Sequence, residues 1–178
     1  KSTVTFSGSN TVIYEADIGN ESYRNEHFSI ANGSGAFKYP LPSVITQNCE
    51  SSSYDGWYVV SGSASIIGNY VHITQPGRIV LRYRKGDTYS SDYVINITFY
   101  DTLGKNHYLK TEPNQSSKDV KNSNGQSVVI SKGSKVNISS FVWGGTYTSS
   151  GVLKDAVWAK TTTNGYTGYI NGFHWAKS

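Results

Sequence analysis

The chain has 178 residues, with 16 basic and 12 acidic side chains and a formal charge of +4. Charged residues make up 16% and aromatic residues 13%, with 14 Tyr, a single Cys and no Met. That balance excludes a disordered chain, which lacks aromatic and β-branched residues, and a helical bundle, which needs Ala and Leu. It also holds no apolar run near the roughly 18 residues of a membrane helix.

Strand patterns dominate from the start. Thr3 to Phe6 and Thr11 to Asp17 alternate apolar and polar residues. Gly19 to Glu26 is polar and aperiodic and reads as a loop. His27 to Phe37 surrounds a Gly-rich turn, and Tyr39-Pro40-Leu41-Pro42 should break any regular element, because proline donates nothing to a ladder. Val44 to Gln47 reads as a short strand and Cys49 to Asp55 as a polar loop. The clearest signals lie between residues 56 and 100. Strands are predicted over Gly56–Ser61, Ser63–Ile67 and Asn69–Thr74, then a turn at Gln75-Pro76-Gly77. Ile79, Leu81 and Tyr83 alternate with Val80, Arg82 and Arg84, and Tyr93 to Tyr100 shows the same period of two. A short strand is expected at His107 to Lys110.

Thr111 to Gly125 is polar and carries Pro113, which marks a candidate domain boundary. Beyond it, Ser127–Ile130, Lys135–Ser139, Ala156–Lys160 and Thr167–Asn171 read as short strands. Gly144 to Lys154 reads as a long Gly/Ser/Thr-rich loop. A segment of this size lies near the lower limit for independent folding, and barrel closure is the usual all-β solution.

Two stretches carry resemblances. Trp57, the run Ser61-Gly62-Ser63-Ala64, Gln75-Pro76-Gly77 and the following alternating strand resemble bacterial immunoglobulin-like repeats of surface and exported proteins. Lys132-Gly133-Ser134-Lys135-Val136, Val157-Trp158-Ala159-Lys160 and Asn164-Gly165-Tyr166-Thr167-Gly168-Tyr169-Ile170 resemble bacterial Src-homology-three-like domains. In the last motif Asn-Gly favours a type I′ turn, and Gly168 is expected to let the strand curl. The expected fold is therefore all-β: an immunoglobulin-like β-sandwich over 1–111, a linker over 112–124 and a small Src-homology-three-like β-barrel over 125–178. The second resemblance implies binding to peptidoglycan peptides or cross-bridges and delivery of a partner to cell walls.

Catalytic patterns are weak. Cys49 has no local hydrolase signature, the four His are widely spaced, and Glu15 and Asp17 on one strand face read as a solvated edge. No Gly-rich loop opens a helix to cradle phosphate. No metal, cofactor or enzymatic activity is expected. The basic residues are scattered; Arg82 and Arg84 share a strand face that reads as solvated, and nucleic acid is not an expected partner. The chain begins with Lys and lacks Met, so it reads as a mature or trimmed product. A Cys-poor, Ser/Thr/Asn/Tyr-rich chain fits an exported Gram-positive protein. The N-x-S/T sequons at Asn20, Asn32, Asn96, Asn114 and Asn137 follow from Asn and Ser richness alone.

The aromatic excess is the remaining signal. Trp143, Tyr147, Trp158, Tyr166, Tyr169, Phe173 and Trp175 crowd the C-terminal segment, more than a small barrel core can hold. Exposed rings offer large contact area at low entropy cost. The candidate ligand-binding groove is Trp143, Tyr147, Tyr166 and Trp175, with Tyr169 as a wall, while Trp158 and Phe173 are core candidates. Tyr54 and Tyr89 lie in polar loops and are further candidates for glycan contact. The expected function is non-catalytic binding of peptidoglycan or a cell-surface glycan by a secreted or surface protein. A secreted toxin or bacteriocin-like effector, and a single-domain carbohydrate-binding module, are the alternatives.

Overall fold

The computed structural model describes residues 1–31, 34–50 and 53–176; the side chains of 21, 30–31, 34, 143–149, 152–156 and 172–176 lie outside the description. The chain is all-β, 58% strand and 4% helix. In chain order it runs β1 (Thr3–Phe6), β2 (Thr11–Asp17), α1 (Glu21–His27), β3 (Phe28–Ala31), β4 (Ser34–Pro40), β5 (Val44–Gln47), β6 (Gly56–Ser61), β7 (Ala64–Ile67) and β8 (Tyr70–Ile73). Then follow β9 (Gly77–Lys85), β10 (Thr88–Tyr89), β11 (Tyr93–Thr102), β12 (His107–Tyr108), β13 (Val129–Ile130), β14 (Lys135–Ser149), β15 (Val152–Thr163) and β16 (Tyr166–Ala176). Two compact units form. Unit 1 is Lys1–Tyr14 with Phe37–Ile97, and unit 2 is Glu15–Ala36 with Thr98–Ser178.

In unit 1, β1 pairs antiparallel with β5, and β9 lies between β6 and β10 while also pairing with the first half of β11. β8 pairs with β4 and β7. The alternation read from the sequence has a physical counterpart in Ile79, Leu81, Tyr93, Ile95 and Ile97, all buried. Val80 is buried as well, so neither face of β9 is solvated at that point. Trp57 stacks on Phe6 at 5.5 Å between centroids and meets Tyr83 and Tyr93 edge-on. The proline-rich break falls one step later than expected: β4 includes Tyr39 and Pro40, which pair with Val71 and Tyr70.

In unit 2, the polar stretch expected as a loop forms α1. The Asp17 carboxylate accepts the Gly19 and Asn20 N–H groups at 3.1 and 3.2 Å, turning the chain. Asn20 then caps the helix by accepting the Tyr23 N–H at 2.9 Å. Arg24 and His27 occupy the last turn, where the helix dipole favours cations. No apolar period announces this helix, because its buried residue is Arg24, which donates to the Ile18 carbonyl at 2.6 Å. Beside it Asp101 is buried; its carboxyl is pushed up by that burial and by Asp17, against the pull of Arg24. Phe28, Phe99 and Phe141 form the aromatic core.

β14, β15 and β16 form a long antiparallel meander instead of short strands and a loop. The Gly/Ser/Thr-rich stretch 144–154 is a hairpin. Ser150 and Gly151 turn it with φ of 49° and 76°, matching Asn164 and Gly165 at 50° and 84° in the next hairpin. Positive φ at both central residues is the type I′ geometry whose twist suits two strands. The barrel expected over 125–178 is not what these strands build: no described sheet closes into a barrel. The start of β14 pairs instead with the second half of β11, Phe99 opposite Ile138 through Thr102 opposite Lys135. That ladder supplies the strand with a neighbour that closure would otherwise provide. Gly168 serves a close approach: a Cβ there would lie 2.5 Å from the Lys110 carbonyl oxygen. Lys110 and Tyr169 exchange two main-chain hydrogen bonds of 2.8 Å at that point. Residues 112–124 include further pairings, Lys110 with Asp119 and Lys121 with Ser127.

Candidate functional site

The register of unit 1 brings together groups distant in sequence. Gly56 and Tyr89 flank Arg84 from β6 and β10, and Tyr58 lies opposite Arg82. Period-two alternation places Tyr58, Arg82, Arg84 and Tyr89 on one face, with Trp57 and Tyr83 on the other. Gly56 brings no side chain to the position beside Arg84. The result is a cleft of about 500 Å³ lined by Tyr54, Asp55, Trp57, Tyr58, Arg84 and Tyr89. A ligand cleft of a few hundred Å³ with aromatic walls and a few fixed polar groups is typical of small-molecule sites.

Its centre is a cation held between rings. The Arg84 guanidinium carbon lies 4.7 Å from the Tyr54 ring centroid and 5.1 Å from that of Tyr89. Both distances fall in the cation–π range. Arg84 Nε donates to the Gly86 carbonyl at 2.7 Å, which fixes the fork. Tyr89 also meets Tyr58 edge-on at 6.4 Å. Tyr54 is 64% exposed and Tyr89 50%, so both rings keep free surface despite these contacts. The polar margin is equally fixed. Asp55 accepts Lys85 Nζ at 2.6 Å and the Gly86 N–H at 3.2 Å. Arg82 donates to Asp92 at 2.6 Å. The Asp55 hydrogen bond holds Lys85 above its ordinary pKa, and Asp92 followed by Tyr58 does the same for Arg82. A depression of about 480 Å³ shares Tyr54 and includes Asn48, Glu50 and Lys85. Cys49 is half-buried and donates its thiol to the Thr3 and Gln47 carbonyls at 3.3 Å. Among the described residues no three His, Cys, Asp or Glu side chains gather, and no helix is long and apolar enough to cross a membrane.

The C-terminal aromatic residues divide. Tyr166 and Tyr169 are half-buried on β16. Three positions apart on a regular stretch of strand, they project to opposite faces. The Tyr166 hydroxyl accepts the Ser123 N–H at 3.3 Å, and Lys160 Nζ lies 6.0 Å from the Tyr169 ring centroid. Trp143 and Tyr147 stand on β14 opposite Val157 and Lys154, and Trp175 stands on β16 opposite Asp155; their side chains lie outside the described residues. Trp158 is core, at 3% exposure. Tyr54 and Tyr89 are visible in the sequence as loop tyrosines, and Arg82 and Arg84 as a shared strand face. Nothing in the sequence joins these two observations, since the pairing of β6, β9 and β10 makes the cleft. Compared with protein-family models, curated proteins and solved structures, the chain matches none at a significant level.

Proposed function

We propose that this protein is a non-catalytic binding module for a cell-wall or cell-surface glycan, exported to act at a cell surface, with the unit 1 cleft as its sugar-binding surface. The observation that carries the reading is Arg84 clasped between the exposed rings of Tyr54 and Tyr89. A pyranose presents an apolar C–H face and a rim of hydroxyls. Tyrosine rings cover the face, at little conformational cost, while fixed Arg and Asp groups orient the rim. The alternating strands and Pro-Gly turn of residues 56–100 keep the immunoglobulin-like resemblance part of this proposal. Tyr166 and Tyr169 are retained as a second, separate contact of unit 2.

The test is retention of the intact chain on purified Gram-positive sacculi and on the polysaccharide released from them. The wild-type chain is expected to bind, and the Tyr54→Ala/Tyr89→Ala double variant to lose at least about tenfold in affinity with an unchanged circular dichroism spectrum. No retention of the wild type, or equal retention of the folded variant, removes the proposal. Dye release from anionic vesicles would move the toxin-like alternative ahead of it.

A further inference from the structure

Unit 2 holds a second cleft, of about 380 Å³, whose chemistry differs from the first and whose argument is independent of the glycan reading. It lies where β12, the Lys110–Asp119 bridge and β15–β16 present side chains to one space. Lys105, His107, Lys110, Asp119 and Asn171 line it over the buried Trp158. Lys110 Nζ is paired with Asp119 Oδ1 at 2.8 Å, and Ser127 donates to the other Asp119 oxygen at 2.9 Å. Those contacts hold the Asp119 carboxyl below its ordinary range, so Lys110 is neutralised. Lys105 has no carboxylate partner among the described residues. His107 is buried, and burial together with Lys105 keeps its imidazole below the usual pKa and therefore neutral. Among the described residues, the cleft thus carries one cation without a carboxylate partner.

It also carries an unfilled acceptor. The Asn171 Oδ1 atom is buried and receives no hydrogen bond among the described residues. A buried acceptor left unmade costs as much as a lost hydrogen bond, so a donor is owed to it. Asn106 Oδ1 accepts the Lys132 N–H at 2.8 Å, Asp119 Oδ2 accepts from Ser127 at 2.9 Å, and Asp119 Oδ1 is ion-paired with Lys110 at 2.8 Å. We propose that this cleft binds a small carboxylate carrying one neighbouring N–H or O–H donor, an N-acyl amino acid or a 2-hydroxy acid. Lys105 meets the carboxylate, Asn171 accepts from the donor, and Trp158 provides the apolar floor.

The experiment is a nitrogen-15 amide titration of the full chain with N-acetylalanine, with lactate, with the uncharged N-acetylalanine amide and with glucuronate. Saturable shifts at Lys105, His107 and Asn171 are expected for N-acetylalanine or lactate, and the stronger of the two identifies the donor. The neutral amide should give none. Lys105→Gln, an exposed change that leaves the fold intact, should weaken binding by about tenfold, as for loss of one hydrogen bond to a charged group. Asn171→Ala should weaken it severalfold without lowering thermal stability, because it deletes an unpaired group. The proposal is overturned by the absence of saturable shifts, by equal response to the neutral amide, by full affinity in Lys105→Gln or Asn171→Ala, or by preference for glucuronate.

Discussion

The two clefts employ their cations differently. In unit 1, Arg84 lies against two tyrosines and 3.8 Å from the Asp87 carboxylate, and Lys85 is bonded to Asp55, so both cations have an anionic partner and hold the walls in place. In unit 2, Lys110 is neutralised by Asp119 while Lys105 keeps its charge beside a neutral histidine. A cation already satisfied contributes orientation and a rigid ring surface. An unsatisfied one contributes net field, which attracts an anion. On the two proposals, similar residue types would take a neutral, flat ligand in one place and a small anion in the other. The packing beneath them differs too. Unit 1 stacks Trp57, which lines its cleft, on Phe6, whereas the buried Phe28, Phe99 and Phe141 of unit 2 do not line its cleft.

That contrast can be broken most severely at the cores. Phe99→Ala, which empties a fully buried site, is expected to cost about 3–5 kcal/mol, read as a lower urea midpoint. Trp57→Ala, at a half-buried position, should cost less but reshape the unit 1 cleft. Equal losses would mean that the two cores are not distinct in the way described. Gly168→Ala should follow, at about 1–3 kcal/mol, because the new methyl group meets the Lys110 carbonyl. Faster amide exchange at Lys110 and Tyr169 would locate the damage.

Arg84→Lys keeps the charge but loses the planar fork between the rings. A loss of about 0.5–1 kcal/mol in glycan affinity is expected, with no change in the response of the unit 2 cleft to N-acetylalanine. The gentlest test uses pH. His72 in unit 1 and His107 in unit 2 both have pKa values lowered first by burial and then by a lysine, Lys38 and Lys105 respectively. Such an imidazole costs nothing above about pH 6.5. As the pH falls below that value the unfolded chain takes up the proton first, so stability declines until the folded chain also protonates. His107→Gln should remove more of this decline than His72→Gln, because His107 is the more buried. Urea midpoints between pH 7 and pH 5 decide it.

Local pattern was legible where residues answer to near neighbours. The alternation of β9 and β11, the Pro-Gly turn before β9 and the Asn164-Gly165 turn all follow from backbone rules acting over a few positions. α1 was not legible, because its stability comes from an Asn cap and a buried arginine instead of an apolar stripe. The hairpin at Ser150-Gly151 was hidden by composition, since Gly, Ser and Thr suit a loop as well as a strand.

Side-chain period and turn chemistry are local properties, so the all-β class, most strand positions and the aromatic surplus can be read from the chain alone. Tertiary structure alone decided that β14 pairs with β11 and leaves the sheet open. It alone set Tyr54 and Tyr89 against Arg84, and left the Asn171 Oδ1 atom buried, without a donor among the described residues, in the cleft of Lys105 and His107. Those outcomes depend on strand partners far apart in the chain, and the period of a strand says which face a residue takes but not what it will face.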